Sequence, residues 1–257
     1  MKAFSLIILA IGCVAVLFYG NQYWSERTST PVSNPPSTES HETSKSPDTA
    51  ETKDVQSLIA NWPEDAKAAF KESLKDGEPY KLALVGSTAL GKEENGWSIQ
   101  VKEAIENAFD GKVAVSIFQY DTTSIEFVNG DKIDEVLGFA PQLVLLEPFS
   151  LNDNSNRVGS TSNQGSIELF KRKLIEQNED AVLILQPTHP IDGATYYPKQ
   201  IEALKEFANT QDITYLDHWS AWPEGSLRDY LGGTQETPNE KGHTLWSQYL
   251  IDYFIAD

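Results

Sequence analysis

One cysteine in 257 residues excludes an internal disulfide, and with it the stapled scaffolds of small secreted domains. The lone Cys13 also excludes a paired-cysteine zinc site. Basic side chains are scarce: 20 Lys+Arg stand against 38 Asp+Glu, a formal charge of −18. That balance argues against nucleic acid as a partner, because phosphate binding needs a basic surface. Neither GxxxxGK[ST] nor GxGxxG occurs, so nothing in the chain cradles a nucleotide phosphate, and no cofactor is expected. Histidine is sparse too, leaving only His41, His189, His218 and His243 as imidazole bases. Apolar residues are not lacking. At 40% hydrophobic and 11% aromatic content the chain can build a core, which excludes global disorder.

The N-terminus carries a different composition. Ala3 to Tyr19 is an uncharged, mainly apolar run behind Lys2. Its length is at the short end for a membrane span, and the charge flanks favour an outward-facing C-terminus. An uncleaved signal anchor over residues 1–20 is the expectation, giving a single-pass membrane protein with an extracytoplasmic domain. A cleaved secretory signal is the alternative, and lipid attachment at Cys13 is the third reading. Between residues 25 and 52, 17 of 28 positions are Ser, Thr or Pro. Such a stretch cannot bury enough surface to offset chain entropy, so residues 21–55 are expected to be a disordered linker. Residues 56–257 then form one domain, and a monomer is expected. The membrane would be contacted only through the N-terminal segment.

That domain alternates. Short apolar runs at Lys81–Ser87, Val113–Tyr120, Pro141–Phe149 and Ala181–Gln186 read as strands, with a brief fifth at Thr214–Asp217. Helical spacing separates them at Trp97–Phe109, Ile167–Gln177 and Tyr197–Thr210. A leading helix follows Pro63, and Glu240–Ile255 closes the chain. Strands alternating with helix-length segments predict a three-layer α/β/α, flavodoxin-like fold around a mainly parallel five-stranded sheet. In such sheets ligands bind beyond the carboxyl ends of the strands. The segments there are Gly86–Ala89, Asp121–Ser124, Ser150–Asn154, Thr188–Pro190, His218–Trp219 and Thr234–Asn239.

Three of these segments carry a resemblance. Gly86-Ser87-Thr88 after the first strand, Asn152-Asp153 in EPFSLNDN after the third, and Pro238-Asn239-Glu240-Lys241-Gly242-His243 opening the last helix are similar to the blocks of the SGNH (GDSL) hydrolases. The resemblance covers roughly residues 80–257. It implies a serine nucleophile after the first strand and a histidine base held by an aspartate three residues earlier. It also implies an oxyanion hole of main-chain N–H groups and an asparagine side chain.

Mapped onto this chain, the nucleophile position falls on Thr88, with Ser87 in the usual aspartate place. The second-block glycine corresponds to Thr122 or Thr123, and the asparagine is kept as Asn152, beside Asp153. The base position is Thr237 and its aspartate position Thr234; neither can accept a proton near neutral pH. His218 and His189, both following strands, are the candidate replacement bases, while His243 reads as structural. Glu147 ends a buried strand, where a carboxyl is either functional or held by backbone amides. Trp219 and Trp222 flank His218 and could stack on sugar rings. Two functions follow from the resemblance. One is a carboxylic-ester hydrolase removing O-acyl groups from an extracellular or cell-surface glycan or a small acylated substrate. The other is a catalytically degenerate domain that binds carbohydrate or a protein partner without turnover.

Overall fold

A computed structural model describes residues 55–256 apart from Glu93 and Glu94. The signal anchor over residues 1–20, the lipidation at Cys13, and nearly all of the linker expected over 21–55 lie outside the described residues. Among the described residues, no helix is long and apolar enough to cross a membrane.

The element order is α1 (Glu64–Asp76), β1 (Tyr80–Gly86), α2 (Trp97–Ala108), β2 (Val113–Gln119), α3 (Ser124–Asn129), α4 (Lys132–Gly138), β3 (Leu143–Leu146), α5 (Ser150–Ser155), α6 (Ser160–Gln177), β4 (Val182–Leu185), α7 (Tyr197–Thr210), β5 (Thr214–Tyr215) and α8 (Glu240–Phe254). The strands line up as β2-β1-β3-β4-β5, all parallel. This is the three-layer architecture the alternation predicts.

Strand pleating sorts the core into two halves. Leu82, Leu84, Leu143, Leu145 and Ile184 face α1, α2 and α8. Their alternate neighbours Ala83, Val85, Val144, Leu146, Leu183 and Leu185 face α3, α4, α6 and α7. Period-two alternation therefore serves two apolar layers, and the strands read as unbroken apolar runs. The helices answer with four-residue spacing: Trp97, Val101 and Ile105 on α2, and Trp246, Leu250 and Phe254 on α8. Trp97 and Trp246 stack at 4.8 Å across those two helices.

Several boundaries differ from the expectation. The third strand covers only Leu143–Leu146, not Pro141–Phe149. Glu147 turns inward at its end, and Phe149 takes a left-handed backbone, φ 58°. Ser150–Asn154 is not an open loop but most of α5. Short helices α3 and α4 fill the space after β2, to which the sequence reading assigns no element.

Candidate functional site

The sheet reverses its strand order between β1 and β3, so the crevice above that pair is where an open α/β sheet binds ligands. Ladder hydrogen bonds run past the strand ends and fix what stands there. Tyr120 N–H donates to Gly86 O at 2.9 Å, Glu147 N–H to Val85 O at 2.8 Å, and Gln186 N–H to Leu146 O at 3.1 Å. The turns after β1, β2, β3 and β4 therefore share one rim.

Glu147 is the keystone of that rim. Its side chain is fully buried. Oε2 accepts from the Ser87 N–H at 2.8 Å, and Oε1 accepts from the Ser150 N–H at 3.1 Å. The Thr188 hydroxyl also bonds to Oε1. One carboxyl thus pins the ends of β1, β3 and β4 together. Burial pushes its pKa up, against the downward pull of these hydrogen bonds. Gly86 makes the space: a Cβ there would lie 2.8 Å from Glu147 Cβ and 2.9 Å from Oε2. Gly86→Ala is therefore expected to cost about 1–3 kcal/mol through overpacking, measured as a lower urea midpoint.

Ser87 and Thr88 divide the roles between them. Ser87 is buried, and its Oγ accepts from Ala89 N–H at 3.3 Å, capping the short 3-10 turn Thr88–Leu90. Thr88 is exposed, and its hydroxyl has no partner among the described residues. Of the two, Thr88 is the one that faces outward.

The asparagine block splits likewise. Asn152, on α5, is half-buried and donates from Nδ2 to Asp121 Oδ1 at 3.2 Å, joining the β3 and β2 ends of the rim. Asp153 points the other way. Its Oδ1 accepts from Ser124 N–H at 2.8 Å, and its Oδ2 accepts from Ser124 Oγ at 2.6 Å and Asn163 Nδ2 at 2.8 Å. Its buried carboxyl is a clasp between α3, α5 and α6, and the structure does not turn it toward a ligand. Thr122 is buried as well, and its hydroxyl donates to Glu126 Oε2 at 3.1 Å. Beside it, Thr123 and Glu126 form a capping box that starts α3. Those bonds lower the Glu126 pKa.

Neither replacement base reaches the hydroxyls. His218 is buried and stacked on Trp246 at 4.1 Å. Its Nε2–H donates to Pro187 O at 2.9 Å, and its Nδ1 accepts from Trp222 Nε1 at 3.0 Å. Both nitrogens are spent on structure. His189 is buried too; its Nε2–H donates to Gln235 O at 3.0 Å, and its Nδ1 has no partner. His243 accepts from Trp97 N–H through Nδ1 at 3.2 Å, and its Nε2 is enclosed without a partner. Burial lowers all three pKa values, to about 4 for His189 and His243 and about 3 for His218. No imidazole nitrogen among the described residues hydrogen-bonds Ser87 or Thr88.

The last block closes the rim. Leu231 bridges Pro238, and Gly232 N–H donates to Thr237 O at 2.9 Å. Gln235 Oε1 accepts from Asp192 N–H at 2.9 Å, fastening this loop to the segment after β4. Thr237 is half-buried and Thr234 exposed.

No protein-family model and no curated protein matches the chain. Solved structures do. A carbohydrate esterase family 3 protein from Talaromyces cellulolyticus is similar at 17% identity and TM-score 0.58, over 66% of this chain and 94% of that one. A psychrotrophic esterase, EstA, from Pseudoalteromonas gives 16% identity and TM-score 0.54, over 67% and 95%. A GDSL-like lipase from Bacteroides thetaiotaomicron gives 14% and 0.54, over 74% and 98%. The chain has the SGNH (GDSL) hydrolase fold. The turns from β1 to β4 and the loop before α8 meet at the carboxyl end of its sheet. The sequence marks Glu147 as a carboxyl either functional or held by backbone amides, and the structure shows the amide contacts. Tyr197, buried behind Thr188, reads only as a helix start. Burial, and secondarily the charge of Glu147, hold the Tyr197 phenol well above its ordinary pKa.

Proposed function

We propose that this SGNH-fold domain binds an O-acyl group, such as acetyl, carried by an extracellular or cell-surface glycan, and does not turn it over. One observation carries the reading: the base position is Thr237, and every described imidazole is sealed away from Ser87 and Thr88. The exposed Thr88 and the Asn152 amide on the same rim supply polar groups for an acyl carbonyl. Losing the base of a hydroxyl nucleophile costs about 10³-fold or more in rate. The likeness to esterases, a carbohydrate esterase among them, supports the ligand class.

A second reading, a carboxylic-ester hydrolase with Thr88 as nucleophile, is favoured by the free, exposed Thr88 hydroxyl. Turnover of p-nitrophenyl acetate by the full chain separates the two. Wild type, Thr88→Ala and Ser87→Ala are expected to match the uncatalysed rate. A rate that falls on Thr88→Ala would establish the hydrolase instead. The double variant Thr237→His with Thr234→Asp is expected to raise turnover about a hundredfold or more, because general-base assistance contributes about 10²–10⁴. No gain from a folded double variant would refute the assignment of those two positions.

A further inference from the structure

We propose that Tyr196 is a sugar-stacking platform at the edge of this rim, an inference that rests on the glycan-binding reading above. Among the described residues three large hydrophobic side chains are exposed, and Tyr196 stands apart at 76%, against 40% for Ile125 and 39% for Ile175. Its place is set by its neighbours. Tyr197 is buried, its ring against Trp219 at 5.6 Å, and Trp219 Nε1 donates to Thr188 O at 2.7 Å. Thr188 in turn is bonded to Glu147. The adjacent pair therefore has one ring anchored behind the centre of the rim and the other held out beside it. Pro198 at the start of α7 fixes the backbone in that arrangement.

The surroundings suit a sugar better than an acyl chain or a protein. The ring stands among polar residues: Asp192, Thr195 and Lys199 are exposed nearby in sequence. A single ring is too small to be an apolar docking patch. A pyranose needs one aromatic face for its C–H groups and polar partners for its hydroxyls. Lys199 Nζ lies over one face of the ring, 5.6 Å from its centroid, so a sugar would stack on the opposite face, and the Asn154 and Gln200 amides pair at 2.6 Å between α5 and α7. Trp219 and Trp222 do not offer such a face. Trp222 is buried, and Trp219 is half-buried against Tyr197.

The test is retardation of the full chain in native gels cast with acetylated xylan, acetylated glucomannan or chito-oligosaccharides, each acetylated polymer paired with its chemically deacetylated form. At least one is expected to retard the wild type. Tyr196→Ala is expected to weaken that retardation about tenfold, and Tyr196→Trp to keep it. Retardation by acetylated and deacetylated forms alike, still lost in Tyr196→Ala, would uphold the platform while refuting acyl recognition. A folded Tyr196→Ala protein retarded like the wild type, or no retardation of the wild type by any of the polymers, would overturn the platform.

Discussion

Moving the protein from pH 7 to pH 5 is expected to remove about 6 kcal/mol of folding stability through three side chains alone. His189, His218 and His243 are buried and neutral, with pKa values lowered to about 4, 3 and 4. In the unfolded chain each returns to about 6.5. A group whose folded pKa is depressed stabilises above its unfolded pKa and loses that contribution as pH falls. The loss therefore begins below about pH 6.5 and runs on to about pH 3–4. Each histidine forfeits about 2 kcal/mol by pH 5, at 1.36 kcal/mol per pH unit. Against a typical stability of about 5–15 kcal/mol that is enough to bring the domain near its midpoint. The His189 and His218 rings both lie against Trp246, and the histidines depress one another further: His189 feels His243, and His218 feels His189. Urea unfolding at several pH values checks this. His243→Asn, which keeps an acceptor for the Trp97 N–H, is expected to cut the acid loss by about a third. A urea midpoint unchanged between pH 7 and 5 would refute the buried-neutral assignment.

Those histidines also mark what the sequence could and could not convey. The sheet was legible, because alternation of apolar strands with helical spacing is set by local periodicity. The helix over Tyr197–Thr210 was legible to the residue, with Pro198 marking its start. The short helices α3, α4 and α5 were not, since six or seven residues carry no readable period. The Thr123-x-x-Glu126 capping box was a local signal for α3 that could have been used. At the site, the convergence of Gly86-Ser87-Thr88 with Asn152 followed from chain order in a parallel sheet. The inward turn of Asp153 did not, because its partners Ser124 and Asn163 lie 29 and 10 residues away. Likewise nothing local distinguishes Tyr196 from Tyr197. Which of two adjacent rings is buried depends on Trp219, supplied by a later strand end. The fate of His218 was set by Trp222 and Trp246, whose rings enclose it. Residue type alone offered a base, and packing turned it into core.

Glu147 gives the second large effect, with the opposite pH sign. Its two oxygens accept from two different backbone N–H groups, those of Ser87 and Ser150. A carboxyl can do this, but an amide has only one acceptor oxygen. Glu147→Gln must therefore turn an NH₂ group toward one of those buried donors, at an expected cost of about 1–3 kcal/mol. Glu147→Ala leaves both N–H groups and the Thr188 hydroxyl without their partner, together with a cavity, and is expected to cost about 3–5 kcal/mol or more. The expected order of urea midpoints is wild type, then Gln, then Ala. Burial raises the folded pKa of Glu147 above its unfolded value, so its contribution is complete at low pH and declines as pH rises through the folded pKa. The gap between wild type and Glu147→Gln should thus narrow toward alkaline pH, while the histidine contribution holds steady there. Equal stability of wild type and Glu147→Gln at acid pH would show that the carboxyl does not clasp both turns. In that event Thr88 would lose the support that holds it outward, since the chain between β1 and the 3-10 turn is fixed to β3 through the Ser87 N–H.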